Sequence, residues 1–328
     1  MIKTINNIAK ELNIDIVGFA SNEVLSGLQG VLESRISKGL ATEFEPKSVK
    51  YRIDPTMTLR ECRGIITIAV PYNTGFETCS RVPVKGSLSK SSWGLDYHIV
   101  VNKLLKDLSG RLESVLGGSY LTFADTGPLV DRELAYRSGL GYYGKNCCII
   151  NPIYGSYIFI GYILTSLELS SEAILLENQC GDCRLCLDAC PTGALEAPGV
   201  LNPKRCISYL TQTKEYIPEE LQQRMGVKIY GCDTCQAVCP KNKGVRPSRH
   251  NEFQPIKTGG CVDIKELLEI SKKDYTDKYG DMAGSWRGRS VLIRNALIAI
   301  KNMGIESELE DQLENLRKRE VELWKPYL

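Results

Sequence analysis

Histidine is nearly missing from this 328-residue chain, with His98 and His250 the only two. So few imidazoles argue against zinc-hydrolase chemistry, which usually draws on them. Long apolar runs are missing too: a stretch such as Tyr157 to Leu164 is well short of the roughly eighteen residues a membrane span needs. Residues 1 to 12 alternate polar with apolar side chains and lack the apolar block of a signal peptide. A cytoplasmic protein without membrane contact is expected. Nor does one sign of charge dominate, since 41 Lys and Arg stand against 39 Asp and Glu, a net of +2. Any grip on nucleic acid must therefore come from a local patch. An apolar fraction of 43% with 24% charged residues excludes a disordered or collagen-like chain. At roughly 150 residues per domain, the length predicts two or three domains.

Cysteine is what the chain has in plenty: thirteen, an odd number, with no export signal. That pattern argues for metal or redox use over a disulfide framework. Eight of them fall between Cys180 and Cys239. Cys180, Cys183, Cys186 and Cys190-Pro191 read C-x2-C-x2-C-x3-C-P, the bacterial-ferredoxin spacing for a [4Fe–4S] cluster. Cys232, Cys235 and Cys239-Pro240 read C-x2-C-x3-C-P, with Cys206 upstream. In such runs the fourth cysteine crosses to the neighbouring cluster. Cys180, Cys183, Cys186 and Cys239 are thus assigned to one cluster, and Cys190, Cys206, Cys232 and Cys235 to the other. Residues 207–231 form an insertion in the second half of this module, expected to project from it. The competing reading is a pair of zinc knuckles, against which stand the doubled Cys-Pro endings and the full count of eight ligands. Cys62, Cys79, Cys147, Cys148 and Cys261 have no ligand spacing and read as small buried hydrophobes.

Helical periods over residues 2–13 and 96–116 alternate with short buried strands at 14–20, 64–71, 147–150 and 157–164, which argues an α/β domain. Gly139, Gly141 and Gly144 fit a G-x-G-x-x-G frame. The frame follows a helix and runs into a strand, the reverse of a dinucleotide fingerprint, so close backbone approach to a large flat cofactor is the expectation. Beyond a proline- and charge-rich linker at 240–250, residues 263–272 and 290–303 read as helices. Leu292, Ala296, Ala299, Ile300 and Met303 form an apolar stripe on the second. Residues 204–250 hold nine Lys or Arg against four Asp or Glu, and Arg287, Arg289, Arg294 and Lys301 are unopposed by any acid between 285 and 303. These runs suit either a solvated face or a phosphate-tracking surface.

Several segments then occur together in one order: Ser92 to His98, Asp125-Thr-Gly, Gly144-Lys-Asn, the two Cys-Pro motifs, Arg205 to Lys214, Tyr230 to Cys235, and Gly284 to Gly288. In these the chain resembles the epoxyqueuosine reductase family from about Ile14 to Met303. The resemblance implies a multidomain α+β protein in three parts. Residues 1–168 would be an α/β cobalamin-binding catalytic domain, and 169–250 a ferredoxin-like double [4Fe–4S] domain with the 207–231 insertion. Residues 251–328 would be a short α-helical, HEAT-like region that binds tRNA. It implies cobalamin (B12) and two [4Fe–4S] clusters as cofactors, and reduction of epoxyqueuosine to queuosine at the tRNA wobble position. Asp125 would be the proton donor, although Asp before Thr-Gly is also common turn chemistry. Arg52, Ile149, Ile160, Ser208, Cys232 and Asp233 match cobalamin contacts.

Gln212, Lys214, Glu215 and Tyr216 match a loop implied to meet tRNA, and Arg287, Arg289 and Arg294 would add cationic contacts. As a general acid, Asp125 is expected to have a pKa raised by burial. Asp96-Tyr-His98 begins like a cobalt-ligating Asp-x-His-x-x-Gly motif, but Val101 stands where glycine is required, so His98 is not expected to bind cobalt. A monomer served by an external low-potential electron donor is expected. The alternatives are a dehalogenase-like reductase of a small molecule and a ferredoxin-like electron carrier.

Overall fold

A computed structural model describes residues 1–77, 84–169 and 173–328; Cys79 lies outside these residues. In chain order the first part comprises α1 (Ile2–Glu11), β1 (Ile16–Ser21), α2 (Gln29–Ser37), α3 (Val49–Ile53), β2 (Gly64–Pro71), β3 (Lys85–Leu88) and α4 (Tyr97–Leu116). It continues with β4 (Tyr120–Ala124), α5 (Asp131–Arg137), β5 (Tyr142–Tyr143), β6 (Ile149–Ile150) and β7 (Ile158–Thr165). A four-stranded sheet in the order β1-β2-β7-β4 is the platform. Helix–strand alternation suggests parallel pairing, yet every pairing in this sheet is antiparallel. The helices cover the sheet without acting as parallel crossovers.

β2 is buried at all eight positions because both of its faces are covered. Ile66, Ile68 and Val70 pack with α1 and α4, through Ile5, Ile8, Val101 and Leu105. On the alternate face Ile65 meets Leu134 and Tyr162, and Ala69 meets Ala135. α4 lies close to the sheet at Gly161, where a Cβ would come within 2.8 Å of Val101. Its start is fixed by Asp96, whose carboxylate accepts from the His98 N–H at 3.0 Å. β4 ends at Ala124, opposite Gly161, so Asp125 leaves the sheet at a defined point.

The second part holds α6 (Leu185–Asp188), β8 (Leu195–Ala197), β9 (Val200–Leu201), α7 (Ile207–Leu210), α8 (Glu219–Met225), β10 (Lys228–Tyr230) and α9 (Thr234–Ala237). The short helices α6 and α9, each inside a cysteine run, pack on one another. The third part holds β11 (Cys261–Asp263), α10 (Ile264–Glu269), α11 (Lys272–Tyr279), α12 (Arg289–Met303) and α13 (Glu310–Arg317). The helix expected over 263–272 breaks at Ile270, which takes ψ 133. Ser271 then caps α11 by accepting from the Asp274 N–H at 3.1 Å.

The insertion does not stand apart. Ile207, Leu210, Ile217, Leu221, Met225 and Ile229 share one core with Leu292, Ile293, Leu297 and Ile300 of α12. With the insertion on one side and α10 on another, α12 is buried continuously from Val291 to Ile300, where its sequence suggests a one-sided stripe. A small sheet, β10-β3-β11, ties strands from the three parts together. Among the described residues no helix is long and apolar enough to cross a membrane.

Candidate active site

Asp125 follows β4 with φ +60, a left-handed turn that few side chains adopt without local support. Tyr97 donates its hydroxyl to the Asp125 carboxylate at 2.7 Å. His98 Nε2 lies 3.6 Å from the same oxygen, and His98 Nδ1 is 2.8 Å from Asp96. The rings of Tyr97 and His98 stack at 4.1 Å. Held by Asp125 and then Asp96 against the cost of burial, the imidazole is pushed up to about 9. Asp125 moves the other way. Burial alone would raise it, but His98 and Tyr97 outweigh that and hold the carboxyl below the ordinary aspartate range. The raised carboxyl expected at Asp125 is found instead at Asp131, which burial and the nearby Asp125 push well up. In this arrangement His98 is biased toward its charged form and Asp125 toward its carboxylate, while burial biases Asp131 toward the neutral form.

The Asp125 side chain is 63% accessible and Arg132 is exposed, so both open onto a solvent-reached cleft beside the start of α4. Buried polar atoms without partners collect around it: Arg52 Nε, His98 Nε2 and Asp131 Oδ1, with Asn146 Nδ2 also unpaired. Asp131 lies within electrostatic reach of Arg52, Arg132 and Asp125. Orphaned groups of this kind cost about 1–3 kcal/mol each unless a ligand or water meets them, so the cleft suits a polar, many-contact cofactor such as a corrinoid. Of the residues expected to touch it, Arg52 pairs with Glu45 at 2.6 Å and keeps Nε free. Ile149 is 3% exposed within an apolar cluster and Ile160 packs against that cluster, so Ile149 has only its main chain to offer. Ser208 is half-buried on α7 and accepts from Gln212 at its carbonyl. Asp233 accepts 2.6 Å bonds from Ser89 Oγ and the Lys90 N–H, which commits its carboxylate to the β3 loop. Gly141 and Gly144 are required by packing: Cβ atoms there would collide with Ile149, Ile150 or Asn146 at 2.6–2.7 Å. They let β5 pack on β6.

The thiols fall into two groups of four. Cys180, Cys183, Cys186 and Cys239 line one cavity of about 150 Å³. Cys206 lies within electrostatic reach of Cys232 and Cys190, and Cys235 of Cys206 and Cys232. All eight are free thiols, and burial pushes Cys206 up to about 11, so metal loading must release protons. Among the described residues no three His, Cys, Asp or Glu are arranged to grip a single metal ion. Four thiols around an iron–sulfur cube each bind a different iron and stand farther apart than ligands of one zinc, so the donor set fits clusters. Lys145 Nζ donates to the carbonyls of Gly181 and, at 3.0 Å, Cys183, clamping the first loop. Cys148, read from sequence as a plain hydrophobe, lies within electrostatic reach of Cys235. Arg132 lies within reach of Cys147, Cys148 and Asp125.

The basic segments divide. Lys214, Glu215 and Tyr216 are exposed, with Tyr216 stacked on Tyr327 at 5.9 Å and Glu215 3.4 Å from Lys204. Gln212 accepts at Oε1 from Tyr230 at 3.1 Å and Trp286 at 2.9 Å, and at its carbonyl from Arg287 at 2.7 Å. Arg289 is half-buried and donates to the Ile270 carbonyl. Arg294 overturns its expectation. It is 0% exposed and donates to the carbonyls of Leu210 and Thr213 at 3.0 Å each, so it locks the insertion to α12 and cannot meet a nucleic acid. An open groove of about 890 Å³ beside α10 and α11 is lined largely by acids, including Glu266, Glu269, Asp274 and Asp277, which would repel phosphate.

Residues 52–126 match the family described as epoxyqueuosine reductase QueG, DUF1730, and residues 179–242 match a 4Fe-4S double cluster binding domain. The epoxyqueuosine reductase of Bacillus subtilis (strain 168) is 38% identical over 317 residues, covering 94% of this chain and 81% of that protein. The chain belongs to the epoxyqueuosine reductase family. A solved epoxyqueuosine reductase with a tRNA-Tyr epoxyqueuosine-modified stem loop superposes with a TM-score of 0.90 at 37% identity, covering 94% of this chain and 83% of that one. Another, from Bacillus subtilis with its catalytic aspartate loop swung out of the active site, gives a TM-score of 0.91 at 35% identity, covering 99% and 87%. As an epoxyqueuosine reductase the chain is an oxidoreductase, with [4Fe–4S] sites in its double-cluster region. The sequence does not reveal His98 and Tyr97 as neighbours of Asp125, because the Asp96-Tyr-His98 spacing points only toward metal ligation. The signal available was the Asp96 N-cap, which places both side chains at the first turn of α4.

Proposed function

We propose that this chain reduces epoxyqueuosine at the wobble position of tRNA to queuosine. One observation carries the reading: the Tyr97–His98–Asp125 group stands near Arg132, which lies within electrostatic reach of both Asp125 and Cys148, and Cys148 in turn within reach of Cys235 of the second thiol set. A proton-handling carboxyl and a cluster site thus lie in one neighbourhood. Turning an epoxide into an alkene and water takes two electrons and two protons. Bound cobalamin would supply two-electron reduction at carbon, and the clusters would bring those electrons one at a time. The chain's own residues handle the oxygen. An epoxide oxygen leaves poorly unless protonated, and Asp125 faces the cleft where it would sit. Because His98 Nε2 lies 3.6 Å from the Asp125 carboxylate, it is positioned to return a proton each time Asp125 gives one up. Closing the cleft with substrate strips water from Asp125 and favours its neutral, donating form. The left-handed turn at Asp125 and the swung-out loop of the Bacillus subtilis relative support a carboxyl that moves in to act.

Residues 1–168 would bind cobalamin through Arg52, Asp125 and the main chain at Ile149 and Ile160, with Ser208 of the insertion and Cys232 and Asp233 of the second cysteine run reaching in. Residues 169–250 would carry the two clusters on the ligand sets named above. Residues 251–328, in a HEAT-like helical arrangement, would face tRNA together with Gln212, Lys214, Glu215, Tyr216, Arg287 and Arg289. The protein would act as a cytoplasmic monomer fed by a separate low-potential donor. A small-molecule reductase of the dehalogenase type has no use for the exposed loop at 214–216, and a plain electron carrier has none for the cleft. The test is anaerobic reconstitution with cobalamin and iron, then mass analysis of nucleosides from epoxyqueuosine-containing tRNA. Conversion by the wild type is expected. Asp125→Asn should keep iron and cobalamin content and lose at least about 100-fold in turnover, the contribution of a positioned acid. Unchanged epoxide with full loading and a competent reductant would refute the reading.

A further inference from the structure

Phe44, Trp286 and Arg287 form a group that neither the thiol sets nor the Asp125 cleft uses. Phe44 and Trp286 meet edge to face, centroids 5.4 Å apart at 67°. The Arg287 guanidinium carbon lies 5.2 Å from the Phe44 ring and 4.8 Å from the Trp286 ring. Tyr209 closes the group from below, 5.6 Å from Phe44, and is buried at 7%, whereas Phe44 is 38% and Trp286 54% exposed. A core cluster would have covered these rings. Here two aromatic rings are partly open to solvent with a half-buried planar cation over them, yet each is pinned. Trp286 Nε1 and Arg287 Nε both bond Gln212. Tyr209 bonds Glu43, next to Phe44, and Glu45 anchors the same loop to Arg35 and Arg52. Rigid, pre-placed planar groups bind with little ordering cost.

We infer that Phe44, Trp286 and Arg287 are a stacking platform for an unpaired nucleobase of the RNA loop, next to the nucleotide that enters the Asp125 cleft. The inference rests on the tRNA reading above. Its geometric link to the cleft is short: Trp286 shares Gln212 with Tyr230, and Tyr230 lies within electrostatic reach of Asp125. Every base has a π-face that aromatic rings and arginine planes can take, and the exposed Lys214 on the neighbouring loop can meet the adjoining phosphate.

Trp286 reports on its own site, because Trp93 and Trp324 are 7% and 1% exposed. The cluster-loaded protein is titrated with a synthetic anticodon stem-loop carrying plain guanosine at the wobble position, under argon, following tryptophan emission. Quenching is expected, and a fully paired RNA of the same length should give none. Trp286→Leu should raise Kd roughly 5- to 100-fold, the span of one lost base–aromatic stack. Trp286→Phe should keep most of the affinity. Phe44→Leu, which leaves Gln212 untouched, should weaken binding as well. The platform is overturned if Trp286→Leu or Phe44→Leu binds as wild type. It is equally overturned if Trp286→Phe falls as far as Trp286→Leu, because the indole N–H would then matter only for holding Gln212, or if the paired RNA quenches equally. Because these readouts are binding alone, stem-loop stacking without epoxide conversion would sink the reductase reading and leave the platform standing.

Discussion

With two histidines in the whole chain, the protonation of His98 can be watched directly. Its two nitrogens face Asp96 at 2.8 Å and Asp125 at 3.6 Å, and the imidazole is raised from 6.5 to about 9. The folded state therefore prefers the charged ring. That preference contributes fully below pH 6.5 and is lost as pH rises through about 9. Asp125 is lowered, so its contribution is present above its ordinary value near 3.8 and is lost as pH falls through its folded value. The pair is intact between those limits. In a closed site a shift of this size would be worth about 3 kcal/mol. With 31% of the imidazole open to solvent, about 1 kcal/mol of stability is the screened expectation. The assay is imidazole proton NMR against pH on the cobalamin-free protein, with His98→Gln used to assign the two signals. The expected midpoint is near 9, falling by about 1–3 units in Asp125→Asn, which removes the charge nearest Nε2. Turnover should decline on the alkaline side with the same midpoint. A wild-type midpoint near 6.5, or one unmoved in Asp125→Asn, would refute the proton relay.

Two further outcomes follow from burial and from the thiol sets. Arg294→Met keeps volume and loses both carbonyl bonds, so unfolding by urea should show a loss of about 3–5 kcal/mol, while RNA affinity of the folded fraction stays as in wild type; a drop in affinity without loss of stability would restore Arg294 to the RNA face. Cys239→Ser should halve iron and sulfide content and leave the second cluster's spectrum in place, because Cys239 belongs with Cys180, Cys183 and Cys186; loss of all iron, or of the other cluster, would break the crossed assignment.

What the sequence made legible was chemistry that depends on local spacing. The cysteine runs are short enough for loop geometry to dictate ligand sets, and β2 is legible as a largely apolar run broken only by Thr67. What it hid depends on residues far apart. Arg294 looks like surface charge on a basic helix, and only the packing of the insertion against α12 turns it inward. Gly139 to Gly144 look like a ligand loop, and their purpose is visible only when β6 lies against β5. His98 and Asp125 sit 27 positions apart in sequence, and their meeting needs both the α4 cap and the end of β4. Phe44 gave no periodic signal at all, since its partners are 165 and more residues downstream.

The middle strand of the small sheet, β3, is hydrogen-bonded on one edge to β10 and on the other to β11, partners 140 residues and more further along the chain. Contacts so distant form late. As the protein is synthesised, β3 must wait, unpaired, until most of the polypeptide has emerged, and Cys232 hangs two residues beyond the strand that finally docks there. Docking of β10, and with it the final placement of Cys232, thus waits until the chain has been made past residue 230.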